Sequence, residues 1–109
     1  MNRFEEALEY YDSAIQKNPE KADYYYGKAI TLFKMNRFEE ALEYYDSAIQ
    51  NNPEKADYYY SKAKTLYKLK NFDSAQKYFN YAISRDLNYT KYKIFQNLLQ
   101  ISYQIYSNY

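Results

Sequence analysis

The sequence predicts an all-α fold built from helix pairs, and three observations support that prediction. A 34-residue segment repeats along the 109-residue chain, and apolar residues within each repeat recur at helical spacing. The chain contains one glycine and two prolines, which favours helices joined by short connections. No segment shows the strict alternation of apolar and polar residues that is typical of a strand.

The repeat is visible by comparing the chain with itself. Residues 1–34 and 35–68 are identical at 30 of 34 positions, and residues 69–102 continue the period with larger changes. Such a period predicts an array in which each unit packs on its neighbours. The two close copies differ at Lys17/Asn51, Gly27/Ser61, Ile30/Lys64 and Phe33/Tyr67.

Each copy contains two helical stretches. Pro53 ends one helix of the central repeat because proline disfavours helical geometry in the residue before it. Asn36 lies between two helices and tolerates the left-handed conformation that often closes a helix. The pattern predicts helices over residues 3–17, 21–34, 37–51, 55–69, 71–85 and 90–107, each antiparallel to its neighbours.

Small and large residues alternate on the apolar faces of these helices. The order is Tyr25, Ala29, Leu32, Ala41, Tyr45, Ala48 and Pro53 in one repeat, and Tyr59, Ala63, Leu66, Ala75, Phe79 and Ala82 in the next. In period, order and side-chain size, the pattern resembles the tetratricopeptide repeat over residues 1 to about 87. The resemblance implies an α-solenoid, a right-handed superhelix of antiparallel helix pairs with about two and a half repeats and a closing C-terminal helix.

The repeat boundaries predict a single domain over residues 1–109. Residues 1–20 are expected to form the second helix of a truncated repeat, residues 21–54 and 55–88 two complete repeats, and residues 89–109 the closing helix. The first helix then lacks a preceding partner, which leaves Phe4, Leu8 and Tyr11 with fewer neighbours. This arrangement fits either a fragment of a longer array or a surface that pairs with another chain.

The last helix departs from the repeat. A strict 34-residue alignment would bury Lys93, Asn97 and Gln100. One inserted residue would instead turn an apolar stripe inward, formed by Ile94, Leu98, Ile101 and Ile105. Other apolar residues of this helix then widen its exposed surface. Together with the first helix they give a predicted self-association surface at Phe4, Leu8, Tyr11, Phe95, Leu99 and Tyr106.

In the tetratricopeptide family, the first helix of each pair lines a concave groove that binds peptides of partner proteins. Aromatic rings beside ammonium groups suit a segment that carries apolar and acidic side chains. Two of the differences between the copies, Ile30/Lys64 and Phe33/Tyr67, fall in this implied groove. By resemblance, the groove residues are Asp23, Tyr26, Ile30, Phe33, Lys34, Asp57, Tyr60, Lys64, Tyr67 and Lys68.

Some family members hold the terminal carboxylate of heat-shock chaperones with Lys, Asn and Arg side chains. The corresponding sites here are Asp23, Tyr26 and Ile30 in one repeat, then Asp57, Tyr60 and Lys64 in the next. Aspartate repels a carboxylate, so no clamp for a chaperone tail is expected.

Composition excludes several classes of function. The chain has no Cys and no His, and its single Gly cannot form a phosphate-binding loop, so we expect no enzyme, no metal site and no cofactor. Fifteen Lys and Arg balance fourteen Asp and Glu, which argues against a nucleic-acid partner. No signal segment and no long apolar run stand out, so we expect a cytoplasmic protein with no membrane partner.

Two functions remain open from the sequence. The leading hypothesis is a non-enzymatic scaffold that binds a peptide segment of a partner protein in the groove. The alternative is a self-association module, forming for example a homodimer, which uses the first and last helices.

Overall fold

The computed structural model describes residues 3–86 and 89–107, with the backbone alone at residues 89–92, 94 and 95. Within these residues the chain forms six helices and no strand, which confirms the all-α fold. Each helix begins and ends within one residue of the range that the sequence predicts. The helices are α1 (Arg3–Lys17), α2 (Ala22–Lys34), α3 (Phe38–Asn51), α4 (Ala56–Lys68), α5 (Phe72–Arg85) and α6 (Tyr89–Ser107).

The chain divides into two compact units, Met1–Glu54 and Lys55–Tyr109. In the first unit, α2 packs on both α1 and α3. In the second unit, α5 packs on both α4 and α6. The division falls where the sequence places a boundary between repeats, and the single domain over residues 1–109 stays a prediction.

The core of the first unit combines small and large side chains. Ala29, Ala41 and Ala48 are fully buried, and so is the much larger Tyr45. Small side chains let neighbouring helix axes approach closely, and the tyrosine ring fills the space beside them. In the second unit, Ala63, Ala75, Ala82 and Phe79 are fully buried at the equivalent repeat positions.

A left-handed residue closes α2. Asn36 has φ 61°, as the sequence predicts. The Arg37 N–H donates to the Leu32 carbonyl at 2.9 Å, and the Asn36 N–H donates to the Phe33 carbonyl at 2.9 Å. This pair of hydrogen bonds is a Schellman motif, which satisfies carbonyl groups at the end of the helix.

The same turn closes α4 with a less suitable residue. Lys70, one repeat after Asn36, has φ 63°, and the Asn71 N–H donates to the Leu66 carbonyl at 2.9 Å. A lysine in this conformation brings its Cβ close to the backbone, a strain that asparagine tolerates better.

Helix α1 is more deeply packed than the sequence indicates. Leu8 is buried in a cluster with residues of α2, whereas its equivalent Leu42 is half-buried, so the expectation that Leu8 has fewer neighbours was wrong. Tyr11 is half-buried and its ring lies against Gly27 of α2. Phe4 stays exposed, as expected.

Helix α6 buries a different face from the predicted one. Leu99 is 1% exposed, whereas Leu98, Ile101 and Ile105 are 53–55% exposed. The expectation that these three residues turn inward was therefore wrong, and so was the expectation that Leu99 faces outward. The Ile94 side chain lies outside the described residues.

The repeat register explains the buried face of α6. Leu99 lies one repeat after Thr65 and two repeats after Thr31, and all three residues are buried. The 34-residue period thus reaches α6 without an inserted residue. Asn97 and Gln100 are exposed, whereas their equivalents one repeat earlier, Ala63 and Leu66, are buried.

Candidate functional site

The implied groove residues at the centre of α2 combine packing with partial exposure. Tyr26 is half-buried, and its ring centroid lies 5.9 Å from that of the buried Tyr45. Ile30, one turn later, is also half-buried and packs on the same core cluster. One side of each residue is thus fixed by the core, which leaves an ordered side chain at the surface.

The ends of α2 carry the exposed charges. Asp23 lies in the first turn and Lys34 in the last turn, where each charge suits the helix dipole. Phe33 is half-buried, and its ring centroid lies 5.3 Å from that of Phe38. Phe33 therefore contributes mainly to the contact between α2 and α3.

Helix α4 presents the equivalent residues with one change of chemistry. Tyr60 is half-buried, and its ring centroid lies 6.2 Å from that of Phe79. The Lys64 ammonium lies 5.1 Å from the Tyr60 ring centroid, a cation–π contact where α2 has Ile30. Burial raises the pKa of the Tyr60 hydroxyl above its ordinary value of 10.0. Asp57 is half-buried and Lys68 is exposed.

Tyr67 contacts two other helices of the second unit, α5 and α6. Its hydroxyl lies 2.6 Å from the Ser102 hydroxyl of α6. Its ring centroid lies 5.4 Å from that of Phe72, which in turn lies 5.2 Å from that of Tyr106. Tyr67 thus helps to hold α6, and the groove role that the resemblance implies for it stays a prediction.

The residues of the predicted self-association surface differ in exposure. Phe4 is 40% and Tyr106 54% exposed, and Tyr11 is half-buried against α2. Leu8 and Leu99 are buried and cannot contact another chain without rearrangement, which corrects their inclusion. The Phe95 side chain lies outside the described residues.

Sequence analysis missed a lysine–tyrosine pair that recurs in both repeats. The Lys28 ammonium lies 4.2 Å from the Tyr44 ring centroid and forms an ion pair with Asp12. In the other unit, the Lys62 ammonium lies 3.9 Å from the Tyr78 ring centroid. The spacing of 16 residues between Lys and Tyr, present in both copies, is a signal that could have revealed the pair.

The environment of Lys28 favours its charged form. Burial alone would lower its pKa, but hydrogen bonds to Asp12 and Tyr44 outweigh burial and raise it. The ammonium lies 3.0 Å from the Tyr44 hydroxyl oxygen. This lysine is therefore committed to internal packing of the first unit.

The described residues hold no cluster of three or more side chains suited to a metal ion. None of their helices combines the length and the hydropathy that crossing a membrane requires.

Comparison with known proteins identifies the family. A family model described as the tetratricopeptide repeat matches residues 1–56 and 26–89. The chain belongs to the tetratricopeptide repeat family. No curated protein matches the chain.

Solved tetratricopeptide structures resemble this chain along most of its length. The complex of the TPR2B domain of yeast Sti1 with pHsp70 is 26% identical, with a TM-score of 0.83 over 94% of this chain and 84% of the other. The first tetratricopeptide domain of Spaghetti (RPAP3), bound to the HSP90 peptide SRMEEVD, is 17% identical, with a TM-score of 0.85 over 96% and 81%.

A third structure is more distant in sequence. The Yersinia enterocolitica type III secretion chaperone SycD, in complex with a peptide of the translocator YopD, is 12% identical, with a TM-score of 0.79 over 94% and 79%. At such identities the likeness shows the fold alone. Together with the family model, these structures confirm the helical-repeat solenoid, an architecture that serves as a protein-interaction module.

Proposed function

We propose that this tetratricopeptide array is a non-enzymatic scaffold that binds a peptide segment of a partner protein along the first helices of its repeats, α2 and α4. One observation carries the proposal. Tyr26 and Tyr60 occupy the same repeat position, and the ring of each is partly exposed and packs on an aromatic ring of the next helix. Such rings offer contact area at little cost in conformational entropy.

The charges on these helices define the peptide. The Lys64 ammonium lies beside the Tyr60 ring, and Lys34 and Lys68 lie exposed in the last turns of α2 and α4, which favours a segment with both apolar and acidic side chains. Asp23 and Asp57 at the helix starts disfavour a terminal carboxylate. The Sti1 and Spaghetti structures hold chaperone peptides; for this chain we propose an internal segment instead.

Selection from a display library of random short peptides tests this function. Peptides that bind the full chain are synthesised, and their affinities are measured by calorimetry. We expect Tyr60→Ala or Tyr26→Ala to weaken binding about tenfold or more. Tyr10→Ala, at a side chain 63% exposed on α1, is the matched control and should leave the affinity unchanged.

A second arm addresses the peptide terminus. Each selected peptide is compared with a free and with an amidated C-terminus, and we expect equal affinities. Selection of no binder, or affinities that neither tyrosine variant changes, would contradict the groove proposal. A strong preference for the free carboxylate would contradict the proposed internal segment.

Self-association is a second candidate function, and the exposed face of α6 supports it. Leu98, Ile101 and Ile105 form an apolar stripe at spacings of three and four residues. Residues 97–107 contain no charged side chain, so two copies of this stripe can meet without repulsion. The proposed contact surface of α6 is therefore this stripe, in place of the buried Leu99.

Light scattering over a concentration series tests the second candidate. We expect a mass that rises toward that of a dimer, and a monomer for Ile101→Lys. Asn97→Lys adds the same charge at an exposed polar site of α6 and should leave the dimer intact. Phe4→Glu reports any contribution of α1. A monomer at every concentration would exclude self-association through α6.

A further inference from the structure

The contact between α5 and α6 is the repeat equivalent of the contact between α1 and α2, because α1 and α5 are both second helices of a repeat. In the first unit, Leu8 and Leu32 belong to one buried cluster. Two repeats later their equivalents are Gln76 and Gln100. Two leucines that close the first contact are thus replaced by glutamines in the second.

A cleft opens between α5 and α6 at these glutamines. Its volume is about 300 Å³, at the small end of the range for ligand sites. Phe72, Leu99 and Tyr103 supply its apolar surface. Asp73 and Gln104 line it together with Gln76 and Gln100, so that polar and aromatic side chains border the same space.

Among the described residues that line the cleft, Asp73 bears the one formal charge, and it is negative. Asp73 lies exposed in the first turn of α5, and the ion pairs Lys28–Asp12 and Arg37–Glu40 do not include it. The Gln76 amide N–H donates to the Asn80 side-chain oxygen at 3.3 Å, which leaves its carbonyl oxygen as an acceptor. Lys70 borders an adjoining depression and does not line the cleft.

We infer that the α5–α6 cleft binds a guanidinium group, supplied by an arginine side chain of a partner protein. A planar guanidinium stacks on aromatic rings such as Phe72 and Tyr103, and its several N–H donors match the oxygens of Asp73 and the glutamines. A lysine ammonium is more strongly hydrated and lacks the planar surface. A neutral ligand would gain nothing from the Asp73 carboxylate.

This site is independent of the proposed peptide surface. It uses α5 and α6, whereas the peptide surface uses α2 and α4, and the two share no residue. Loss of arginine binding would therefore leave the proposed function untouched, and the reverse also holds.

A chemical-shift titration of the ¹⁵N-labelled full chain tests the inference with small probes. The probes are N-acetyl-arginine amide, the neutral analogue N-acetyl-citrulline amide, and N-acetyl-lysine amide. We expect saturable shifts for arginine, centred on α5 and α6, with a dissociation constant on the order of 1 mM. Citrulline and lysine should bind at least about fivefold more weakly.

Three variants identify the residues involved. Asp73→Asn should weaken arginine binding about fivefold. Glu5→Gln removes the equivalent carboxylate two repeats earlier, on α1, and should change nothing. Gln76→Leu restores the leucine of the repeat, removes the amide oxygen from the cleft and should abolish binding while raising the melting temperature.

Every outcome of these titrations is decisive. Arginine-specific shifts that Asp73→Asn weakens and Gln76→Leu removes would establish the site. Equal shifts for arginine and citrulline would overturn the role of charge, and equal binding of lysine would overturn the guanidinium assignment. Shifts spread over the acidic helix starts and unchanged in Asp73→Asn would show non-specific attraction and reject the cleft.

Discussion

The aromatic ring of Tyr11 lies where a Cβ atom at position 27 would have to be, and Gly27 leaves that space open. Glycine inside a helix costs about 1 kcal/mol relative to alanine, so α2 loses intrinsic stability at this position. The close contact between α1 and α2 offsets that loss, because the ring packs directly on the backbone. The stability effects of the two residues must therefore be coupled.

A double-mutant cycle measures this coupling. In the Tyr11→Ala background, Gly27→Ala should raise the free energy of unfolding by about 1 kcal/mol, the helix-propensity gain. In the original chain, the new methyl group of Gly27→Ala collides with the Tyr11 ring. Displacing that ring should lower the free energy of unfolding by about 1–3 kcal/mol. We expect a coupling of at least about 1 kcal/mol between the two sites in urea unfolding. Equal effects of Gly27→Ala in both backgrounds would show that the ring moves aside freely.

The buried face of α6 gives a second prediction. Leu99→Ala should lower the free energy of unfolding by about 2–4 kcal/mol, since Leu99 is fully buried. Leu98→Ala, at the neighbouring residue with about half of its surface exposed, should cost less than about 1 kcal/mol. Urea unfolding of both variants checks the register. A larger loss of stability for Leu98→Ala than for Leu99→Ala would show that α6 buries the face that the sequence predicts.

The sequence predicts well what local chemistry determines. Helix bounds follow from apolar spacing and from Pro53, and the left-handed Asn36 follows from the tolerance of asparagine for that conformation. The face of α6 does not follow in this way, because both Leu98 with Ile101 and Leu99 with Tyr106 lie at helical spacing. Which face of α6 is buried depends on how α6 packs on α5.

The same distinction applies to the residues of the candidate site: the repeat predicts some of them and not others. Tyr26 and Tyr60 could be singled out because they recur at one position of the repeat. The role of Tyr67 could not, because its partner Ser102 belongs to a helix that departs from the repeat. The cleft at Gln76 could not be predicted for a similar reason. In the sequence, glutamine in place of leucine indicates only weaker packing, and the cleft beside it is visible only in the structure.

The turn after α4 gives a third prediction. Lys70 holds a left-handed conformation with φ 63°, and such a conformation costs a residue with a Cβ about 1–2 kcal/mol. Lys70→Asn copies the residue that closes α2 and should raise the free energy of unfolding by about 0.5–1 kcal/mol. Asn36→Gly is the control at the equivalent turn and should change stability less. No gain for Lys70→Asn in thermal and urea unfolding would mean that the lysine side chain stabilises the turn in another way.

The fourth prediction concerns the pH dependence of stability at Tyr60. Burial raises the pKa of this hydroxyl above 10.0 in the folded chain, so the folded state holds the proton more firmly than the unfolded state does. The stability linked to Tyr60 is therefore complete below about pH 10 and is lost as the pH rises through the folded pKa. Tyr60→Phe keeps the ring and removes the titrating group. Above about pH 10, the free energy of unfolding should fall more steeply for the original chain than for Tyr60→Phe.

The nearby ammonium of Lys64 must be separated from this effect, since its positive charge lies 5.1 Å from the Tyr60 ring centroid. Lys64→Met removes the ammonium and keeps an apolar stem of similar length. The difference in slope between Tyr60 and Phe at position 60 should persist in the Lys64→Met background, because burial is the cause of the shifted pKa. If the free energies of unfolding of these two variants changed in parallel with pH in that background, the pH dependence would instead depend on the lysine.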